Sequence, residues 1–244
     1  MRDYDAATYG ERFADLYDDW HPVTDEVDDA VTLLGKLAGS GPALELGVGT
    51  GRFALPLAAS GLPVHGIESS RAMIDRLRAK PGAELVTTSL GDFADVAVEG
   101  EYGLVFVTFN TFWMLLSQDD QVRCCENVAR RLSADGTFVV EGSVPSVGTL
   151  AKARSVEPAR MTAGSVALDL TLRDPVNQRI DRQQLIIDDS GIRLQPLSFR
   201  YVWPSELDLM ARLAGLRLRT RYAGWTGEPF HDGSRRHISV YERA

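Results

Sequence analysis

Cysteine and histidine are scarce in this 244-residue chain, which has two of the first and four of the second. Cys124 and Cys125 are neighbours inside a helical pattern, so they can form neither a disulfide framework nor a four-ligand zinc site. The histidines are spread along the chain without the spacing of metal ligands. The sequence therefore predicts no metal site.

Positive charge and long apolar runs are lacking too. The net charge of -8 disfavours a nucleic-acid partner, because binding to phosphates needs a positive surface that releases counterions. No apolar run approaches the roughly 20 residues that cross a bilayer, and Met1 to Asp5 lacks the apolar core of a signal peptide. We expect a cytoplasmic protein that does not bind membranes.

The rest of the composition is that of an ordinary globular protein. Hydrophobic residues make up 44 % and charged residues 25 %, which excludes a largely disordered chain. A length of 244 residues suits one large α/β domain. We therefore expect a single domain over residues 1–244.

Strand and helix patterns alternate up to about residue 142. Short apolar runs predict five strands, at 43–46, 63–67, 84–86, 104–107 and 137–140. Helices are predicted over 51–59, after Ser70 as an N-cap, and over 117–132. The run 104–107 is apolar throughout, which is typical of a central strand buried on both faces.

After Gly142 the period of the pattern changes to two residues. Apolar side chains alternate with polar ones over 166–172, and further strands are predicted over 179–187 and 192–203. Residues 145–203 are therefore expected to form an antiparallel β flap, inserted after the fifth strand. A helix over 204–213 follows, and 216–222 with 237–241 can close the main sheet as a hairpin.

Glycines cluster at the end of the first predicted strand. Gly47, Gly49 and Gly51 alternate there, and such glycines let a backbone approach a ligand closely. Residues 49–54 also fit the Gly-x-Gly-x-x-Gly/Ala pattern of dinucleotide folds, so an NAD-dependent oxidoreductase is an alternative. Glu68 ends the second strand and can accept hydrogen bonds from both hydroxyls of a ribose, which serves either cofactor.

A carboxylate and an aromatic ring follow the third predicted strand, at Asp92 and Phe93. The carboxylate can accept a hydrogen bond from an adenine amino group while the ring covers the base, although Asp92 can also simply begin a turn. The chain has no Tyr-x-x-x-Lys pair of the kind that short NAD reductases share, and no second catalytic domain. These features disfavour the oxidoreductase alternative.

Together these motifs resemble those of the class I S-adenosylmethionine-dependent methyltransferases, over nearly the whole chain. The resemblance implies a Rossmann-like α/β fold, in which a seven-stranded, mostly parallel sheet ends in an antiparallel hairpin. Together with the strand and helix patterns, it leads us to expect an N-terminal helical cap at 1–40, a cofactor-binding core at 41–142 and 204–244, and an antiparallel substrate flap at 145–203. The cofactor would be S-adenosyl-L-methionine, released as S-adenosyl-L-homocysteine.

The resemblance also assigns expected roles to individual residues. The loop from Gly47 to Gly51 would lie near the methionine part of the cofactor, Glu68 on its ribose, and Asp92 with Phe93 at its adenine. Ser69 and Met73 match neighbouring positions of the cofactor pocket.

Within this family the chain is most similar to antibiotic-pathway N-methyltransferases, which act on deoxysugar amines or, as in cypemycin biosynthesis, on a peptide amine. The similarity rests on Asn110-Thr111-Phe112 after the fourth strand and on the segments 222–224 and 227–230. No Asn-Pro-Pro-Tyr-type motif follows the fourth strand, which disfavours DNA and side-chain amides of proteins as substrates.

Aromatic residues cluster in the segments expected to cover the pocket, before the first strand and after the fourth. They could surround a sulfonium by cation–π attraction, or the Tyr9, Phe13 and Tyr17 spacing could simply pack one helix face on the core. Tyr17 and Phe109 are predicted cofactor contacts. The predicted substrate contacts are Trp20, Asn110, Trp113, Tyr201 and His231.

The sequence shows no activated catalytic base, and His231 is only a weak candidate for one. An amine needs only its neutral form to accept a methyl group, whereas a hydroxyl must lose its proton. The favoured hypothesis is methyl transfer to an amine of a small molecule or peptide in natural-product biosynthesis. An O-methyltransferase, an NAD enzyme and a non-catalytic binding module are the alternatives, and the oligomeric state is left open.

Overall fold

The computed structural model describes residues 1–244 and contains eight α-helices and eleven β-strands. The helices are α1 (Thr8–Phe13), α2 (Tyr17–Trp20), α3 (Asp25–Ala38), α4 (Ala54–Ala59), α5 (Arg71–Arg78), α6 (Gln118–Arg131), α7 (Val147–Leu150) and α8 (Pro204–Leu213). The strands are β1 (Ala43–Leu46), β2 (Val64–Glu68), β3 (Val86–Leu90), β4 (Tyr102–Val107), β5 (Leu132–Ser143), β6 (Arg154–Met161), β7 (Ser165–Asp174), β8 (Arg179–Asp188), β9 (Gly191–Arg200), β10 (Leu216–Tyr222) and β11 (Arg236–Arg243).

The main sheet has seven strands in the order β10-β11-β5-β4-β1-β2-β3. Strand β11 runs antiparallel to both β10 and β5, whereas the pairs from β5 to β3 are parallel. This confirms the expected mostly parallel sheet with a terminal antiparallel hairpin. The chain moves outward from β1 to β3 and then returns to place β4 on the other side of β1. Ligands bind at such a reversal of strand order, outside the carboxyl ends of the strands.

Helices cover both faces of this sheet, so β4 is buried along its whole length. Val105 and Val107 point into a core shared with α6 and α8, whereas Leu104 and Phe106 point into a core shared with α3 and α4. The continuous apolar run that predicted a central strand is confirmed. Because α3 packs on the sheet, only α1 and α2 of the first 40 residues are free to cover the binding edge.

A second sheet of four antiparallel strands, β6-β7-β8-β9, forms the predicted flap. Strand β6 was not expected, because its largely exposed residues, with Pro158 among them, do not alternate between polar and apolar. The third strand of the main sheet begins at Val86, two residues later than expected. Residues 83–85 instead form a 3-10 turn, since polar residues of an edge strand give only a weak sequence signal.

No helix is long and apolar enough to cross a membrane. No group of three or more His, Cys, Asp or Glu side chains is placed to hold a metal ion.

Candidate active site

A cavity of about 220 Å³ lies at the carboxyl ends of β1, β2 and β3, and we call it the glycine-loop cavity. Eight of the ten predicted cofactor contacts line it: Tyr17, Gly47, Gly49, Glu68, Ser69, Met73, Asp92 and Phe93. They come from four separate segments of the chain. Three of these segments follow β1, β2 and β3, and the parallel sheet brings them together because the carboxyl ends of its strands share one edge. Tyr17 is added by α2.

Gly47 and Gly49 give this cavity a wall of bare backbone. Gly47 has φ +75°, and a Cβ added there would lie 2.5 Å from Cγ2 of Thr111. Gly49 has φ +54°, and a Cβ there would meet no atom within 4 Å, so this position faces open space. Gly51 does not line the cavity, and a Cβ added there would lie 3.0 Å from Cγ of both Leu55 and Leu77.

The Glu68 carboxylate is held at the cavity wall by two backbone amides. The N–H of Gly49 donates to Oε2 and the N–H of Ser70 donates to Oε1, each at 2.9 Å. Burial raises the pKa of this carboxyl, and the two N–H donors oppose that rise. Both oxygens keep a lone pair beyond these bonds, so the group can still accept from a ligand.

Asp92 serves the local turn and lines the cavity as well. Its Oδ1 accepts from the backbone N–H of Ala94 at 2.8 Å, which is the turn geometry considered for this residue. The ring of Phe93 is 8 % exposed and contributes to the same wall. The two interpretations of Asp92 are therefore compatible.

The N-terminal helices α1 and α2 cover the cavity and are fastened to its rim. Glu11 of α1 accepts from Oγ of Ser70 at 2.9 Å and from the N–H of Ala72 at 3.1 Å. Asp18 of α2 accepts from Oγ1 of Thr50 at 2.6 Å, inside the glycine loop. These bonds fix α2, and with it Tyr17, over the glycine loop.

A second cavity, of about 320 Å³, adjoins the first, and we call it the aromatic cavity. Tyr9, Tyr17, Thr111 and Met114 line both cavities, so the two are neighbours across these side chains. The other residues of its wall are His21, Phe109, Asn110, Trp113, Arg182, Leu197 and Phe199. The flap contributes the last three through β8 and β9.

Aromatic rings follow one another around this second cavity. The centroids of Tyr17 and His21 lie 4.8 Å apart, and those of His21 and Phe109 lie 5.0 Å apart. The centroids of Trp113 and Phe199, also in this wall, lie 5.7 Å apart. The electron-rich faces of such rings can attract a cation.

The loop after β4 holds two residues in the left-handed region, Phe109 with φ 58° and Asn110 with φ 62°. This conformation is costly for a phenylalanine and persists only where the surroundings enforce it. The Phe109 N–H donates to Oε2 of Glu141 at 2.8 Å, and the Ser143 N–H donates to Oδ1 of Asn110 at 2.6 Å. Two bonds to the end of β5 therefore fix the loop that presents Phe109 to the aromatic cavity.

His21 is the only histidine in either cavity wall. Burial lowers its pKa to about 4, with further lowering from the positive charges of Arg52 and Arg182. The imidazole is therefore neutral at pH 7 and only weakly basic.

Three of the predicted substrate contacts lie outside both cavities. Trp20 lines a separate cleft, where the guanidinium of Arg160 lies 5.3 Å from its ring. Tyr201 is buried and lies 6.4 Å from the ring of Trp113, behind the cavity wall. His231 has a 66 % exposed side chain in the loop between β10 and β11. Phe109, predicted at the cofactor, lines the aromatic cavity instead.

Several wall residues were not among the predicted contacts: Tyr9, His21, Thr111, Met114, Arg182, Leu197 and Phe199. Tyr9 belongs to the aromatic pattern of the N-terminal segment, so that pattern could have identified it. The flap residues could have been found only by knowing which face of the flap turns inward, and this depends on strand pairing. Arg182 lies opposite Thr171 on one side and Leu197 on the other.

Comparisons with known proteins agree with this arrangement. The family described as "Methyltransferase domain" matches residues 43–136. The chain is 28 % identical over 207 residues to the cypemycin N-terminal methyltransferase of a Streptomyces species, a match that covers 82 % of each chain.

Solved structures extend the likeness to the whole chain. The CcbJ methyltransferase of Streptomyces caelestis is 40 % identical, with a TM-score of 0.93 over 99 % of this chain and 100 % of that one. The same fold occurs in the S-adenosylmethionine-bound structure of CalS10, an amino pentose methyltransferase from Micromonospora echinaspora. That chain is 21 % identical, with a TM-score of 0.67 over 90 % of this chain and 91 % of that one.

Proposed function

Because this chain belongs to the S-adenosylmethionine-dependent methyltransferases, we propose that it methylates an amine of a small molecule or peptide in natural-product biosynthesis. The observation that carries the proposal is the aromatic cavity, which adjoins the cofactor side of the molecule and contains no carboxylate and no basic histidine. Membership of the family also removes the NAD oxidoreductase and the non-catalytic binding module from consideration.

The glycine-loop cavity has the features that the cofactor requires. Open space at Gly49 leaves room for a ligand against bare backbone, and the anchored Glu68 carboxylate can accept from ribose hydroxyls. Phe93 and Met73 offer apolar surface for the adenine, and Asp92 offers an acceptor for its amino group. When bound, S-adenosylmethionine supplies an electrophilic methyl group on a positively charged sulfur.

The protein then has to align an acceptor with that methyl group and keep water away, since the reaction is an in-line displacement. Tyr17 and Tyr9 line both cavities and are half-buried, and desolvation raises the pKa of Tyr17 to about 12. Their rings remain neutral at pH 7 and can face a sulfonium. Phe109, fixed by Glu141, and Trp113 provide the facing walls for the acceptor.

An amine suits this site better than a hydroxyl. A hydroxyl would need a nearby group to take its proton, and the one candidate in the wall, His21, has a pKa of about 4. An amine enters in its neutral form and needs no such group during the displacement. The cypemycin enzyme and the amino pentose enzyme are both named for amine substrates, which supports the same choice.

The proposal also assigns the cofactor site and the acceptor site to different segments of the chain. The segments 41–142 and 204–244 carry the cofactor site, while the flap within 145–203 contributes Arg182, Leu197 and Phe199 to the acceptor site. Loops and insertions commonly set specificity on a conserved scaffold. The net charge of -8 fits a small-molecule or peptide acceptor better than a nucleic acid.

The test uses S-adenosylmethionine labelled with ¹³C in the methyl group and matched acceptor pairs. Each pair contains an amine and the alcohol of the same skeleton, for example 2-phenylethylamine and 2-phenylethanol, together with an amino sugar and a short peptide. We expect labelled methyl on nitrogen in at least one amine and none on the alcohols. Label on oxygen alone would replace the proposal by an O-methyltransferase.

A further inference from the structure

Arg182 is the one charged side chain in the wall of the aromatic cavity. It lies in the middle of β8, opposite Thr171 of β7 and Leu197 of β9, so it is held by a paired strand on each side. No aspartate or glutamate lines the same cavity. The Arg182 side chain is 36 % exposed, so its guanidinium is only partly desolvated by the aromatic rings around it and remains open to a ligand in the cavity.

The guanidinium of Arg182 is incompletely bonded. Its Nη1 lies 3.4 Å from Oδ2 of Asp169, a long contact, and its Nε is buried without any hydrogen-bond partner. Asp169 is also engaged elsewhere, since its Oδ1 accepts from Nε2 of Gln184 at 2.8 Å. Nε itself has almost no accessible surface, so the donors that can reach a ligand oxygen are the terminal N–H groups of this partly exposed side chain, and the long contact to Asp169 leaves them donor capacity.

The charge around Arg182 limits what this oxygen can belong to. Asp169 already balances the positive charge, so a neutral carbonyl oxygen can complete the hydrogen bonding without a further anion. A free carboxylate would bring a second negative charge close to Asp169. The positive guanidinium also disfavours the ammonium form of a nearby amine, and the neutral form is the one that accepts methyl.

On these grounds we propose that Arg182 binds an amide carbonyl oxygen of the acceptor, adjacent to the amine that receives the methyl group. This inference rests on the proposed amine methylation and narrows its substrate class. The acceptor is an α-amino amide, as at the amino end of a peptide or in an amide of an amino acid. An amino sugar, which has hydroxyls in place of the carbonyl, fits this site less well.

The experiment measures binding of three probes with one skeleton: L-phenylalaninamide, L-phenylalanine and 2-phenylethylamine. Titration calorimetry is performed with S-adenosylhomocysteine bound, on the wild type and on Arg182→Met. Each probe is compared between proteins, so that the titration of its own amine cancels. We expect Arg182→Met to weaken phenylalaninamide about tenfold to hundredfold, and phenylethylamine by less than about threefold. Phenylalanine should be the weaker of the two oxygen-bearing probes in the wild type.

Arg173→Met is the matched control. Arg173 belongs to the same sheet and also has a buried Nε without a partner, but it lies outside the aromatic cavity. The substitution Arg173→Met should leave the affinities of all three probes unchanged. Arg182→Lys, which keeps the charge and loses the planar donor group, should lose most of the preference for the amide.

The inference would be overturned if Arg182→Met weakened the binding of all three probes equally, or of none of them. It would also be overturned if phenylalaninamide did not bind to the wild type. If the Arg182 variants do not fold, the wild type still decides, because affinity corrected to the neutral amine must favour phenylalaninamide over phenylethylamine by about tenfold or more. If only this inference is wrong, S-adenosylhomocysteine still binds and the labelled methyl group is still transferred to amines. If the proposed function is wrong, no labelled methyl group is found on an amine.

Discussion

The backbone N–H of Phe109 donates a hydrogen bond of 2.8 Å to Oε2 of Glu141, joining the loop after β4 to the end of β5. Phe109 has φ 58°, so this carboxylate holds an aromatic wall of the aromatic cavity in a conformation that the residue would otherwise leave. Burial raises the pKa of Glu141, and the N–H of Phe109 and the charge of Arg236 oppose the rise.

Replacing Glu141 by leucine should therefore damage the acceptor site while sparing the cofactor site. The unpartnered N–H should cost about 1–3 kcal/mol of folding free energy. Turnover of an amine acceptor, measured as kcat/KM, should fall at least about tenfold, since small misplacements of an aligned acceptor are costly. Glu141→Gln keeps an oxygen acceptor and should restore most of the activity. Wild-type kcat/KM in the leucine variant would show that the loop does not depend on this bond.

Gly49→Ala should weaken binding of S-adenosylhomocysteine. The new methyl group would enter open space in the glycine-loop cavity, where the cofactor is proposed to lie. Gly82→Ala is the matched control, because Gly82 also has a positive φ and open space around it but lies outside that cavity. Both variants should lose roughly 1 kcal/mol of stability from backbone strain. Only Gly49→Ala should lose affinity in calorimetry, and an equal effect in both variants would move the cofactor elsewhere.

The flap should be required for turnover and not for cofactor binding. Phe199 and Leu197 of β9 line the aromatic cavity, and neither lines the glycine-loop cavity. A variant in which a short linker replaces residues 154–200 should bind S-adenosylhomocysteine with wild-type affinity and transfer no methyl group. Phe199→Ala, a smaller change, should lower kcat/KM with the same affinity for the cofactor product. Retained activity without the flap would make it a structural element only.

His237 should make the protein less stable in acid. It is 2 % exposed, and burial together with the charge of Arg221 lowers its pKa to about 4. Between pH 6.5 and 4 the unfolded chain binds the proton and the folded one does not, so stability declines as the pH falls through this window. The full shift is worth about 3 kcal/mol.

Urea unfolding of the wild type and of His237→Gln at pH 7, 5.5 and 4 measures this contribution. Between pH 7 and pH 4 the free energy of unfolding should fall further in the wild type than in the variant. The extra loss in the wild type should reach up to about 3 kcal/mol at pH 4. Other titrating groups act equally in both proteins. Parallel pH curves would mean that His237 is not held neutral by the fold.

The main sheet and much of the wall of the glycine-loop cavity could be predicted from the sequence, because their signals are local. The apolar run of β4 identifies a central strand, and the residue spacing around Gly49 and Glu68 places both at strand ends. Those ends must meet at one edge of a parallel sheet, so the site follows from the pattern. The N-cap at Ser70 is local in the same way, and its Oγ accepts from the backbone N–H of Met73 three residues ahead.

The aromatic cavity could not be predicted in the same way, because it is assembled from segments far apart in the chain. Arg182 meets Tyr9 and His21 in one cavity wall only through the pairing and placement of the flap. Phe109 was assigned to the cofactor from its position after β4, but the left-handed turn that begins there directs it to the neighbouring cavity. His231 follows an aromatic residue in the sequence, yet its loop leaves it in solvent.

The most direct test of the central claim, methyl transfer to a neutral amine without a protein base, is the pH dependence of the single-turnover rate. The rate should rise with pH along the titration of the acceptor amine, and His21→Gln and His231→Ala should leave that profile in place. The new methyl group should be found on nitrogen by mass spectrometry of the product. A limb near pH 4 that disappeared in His21→Gln would contradict the claim, and so would any limb of the profile that disappeared in His231→Ala. A methyl group on oxygen would contradict it as well.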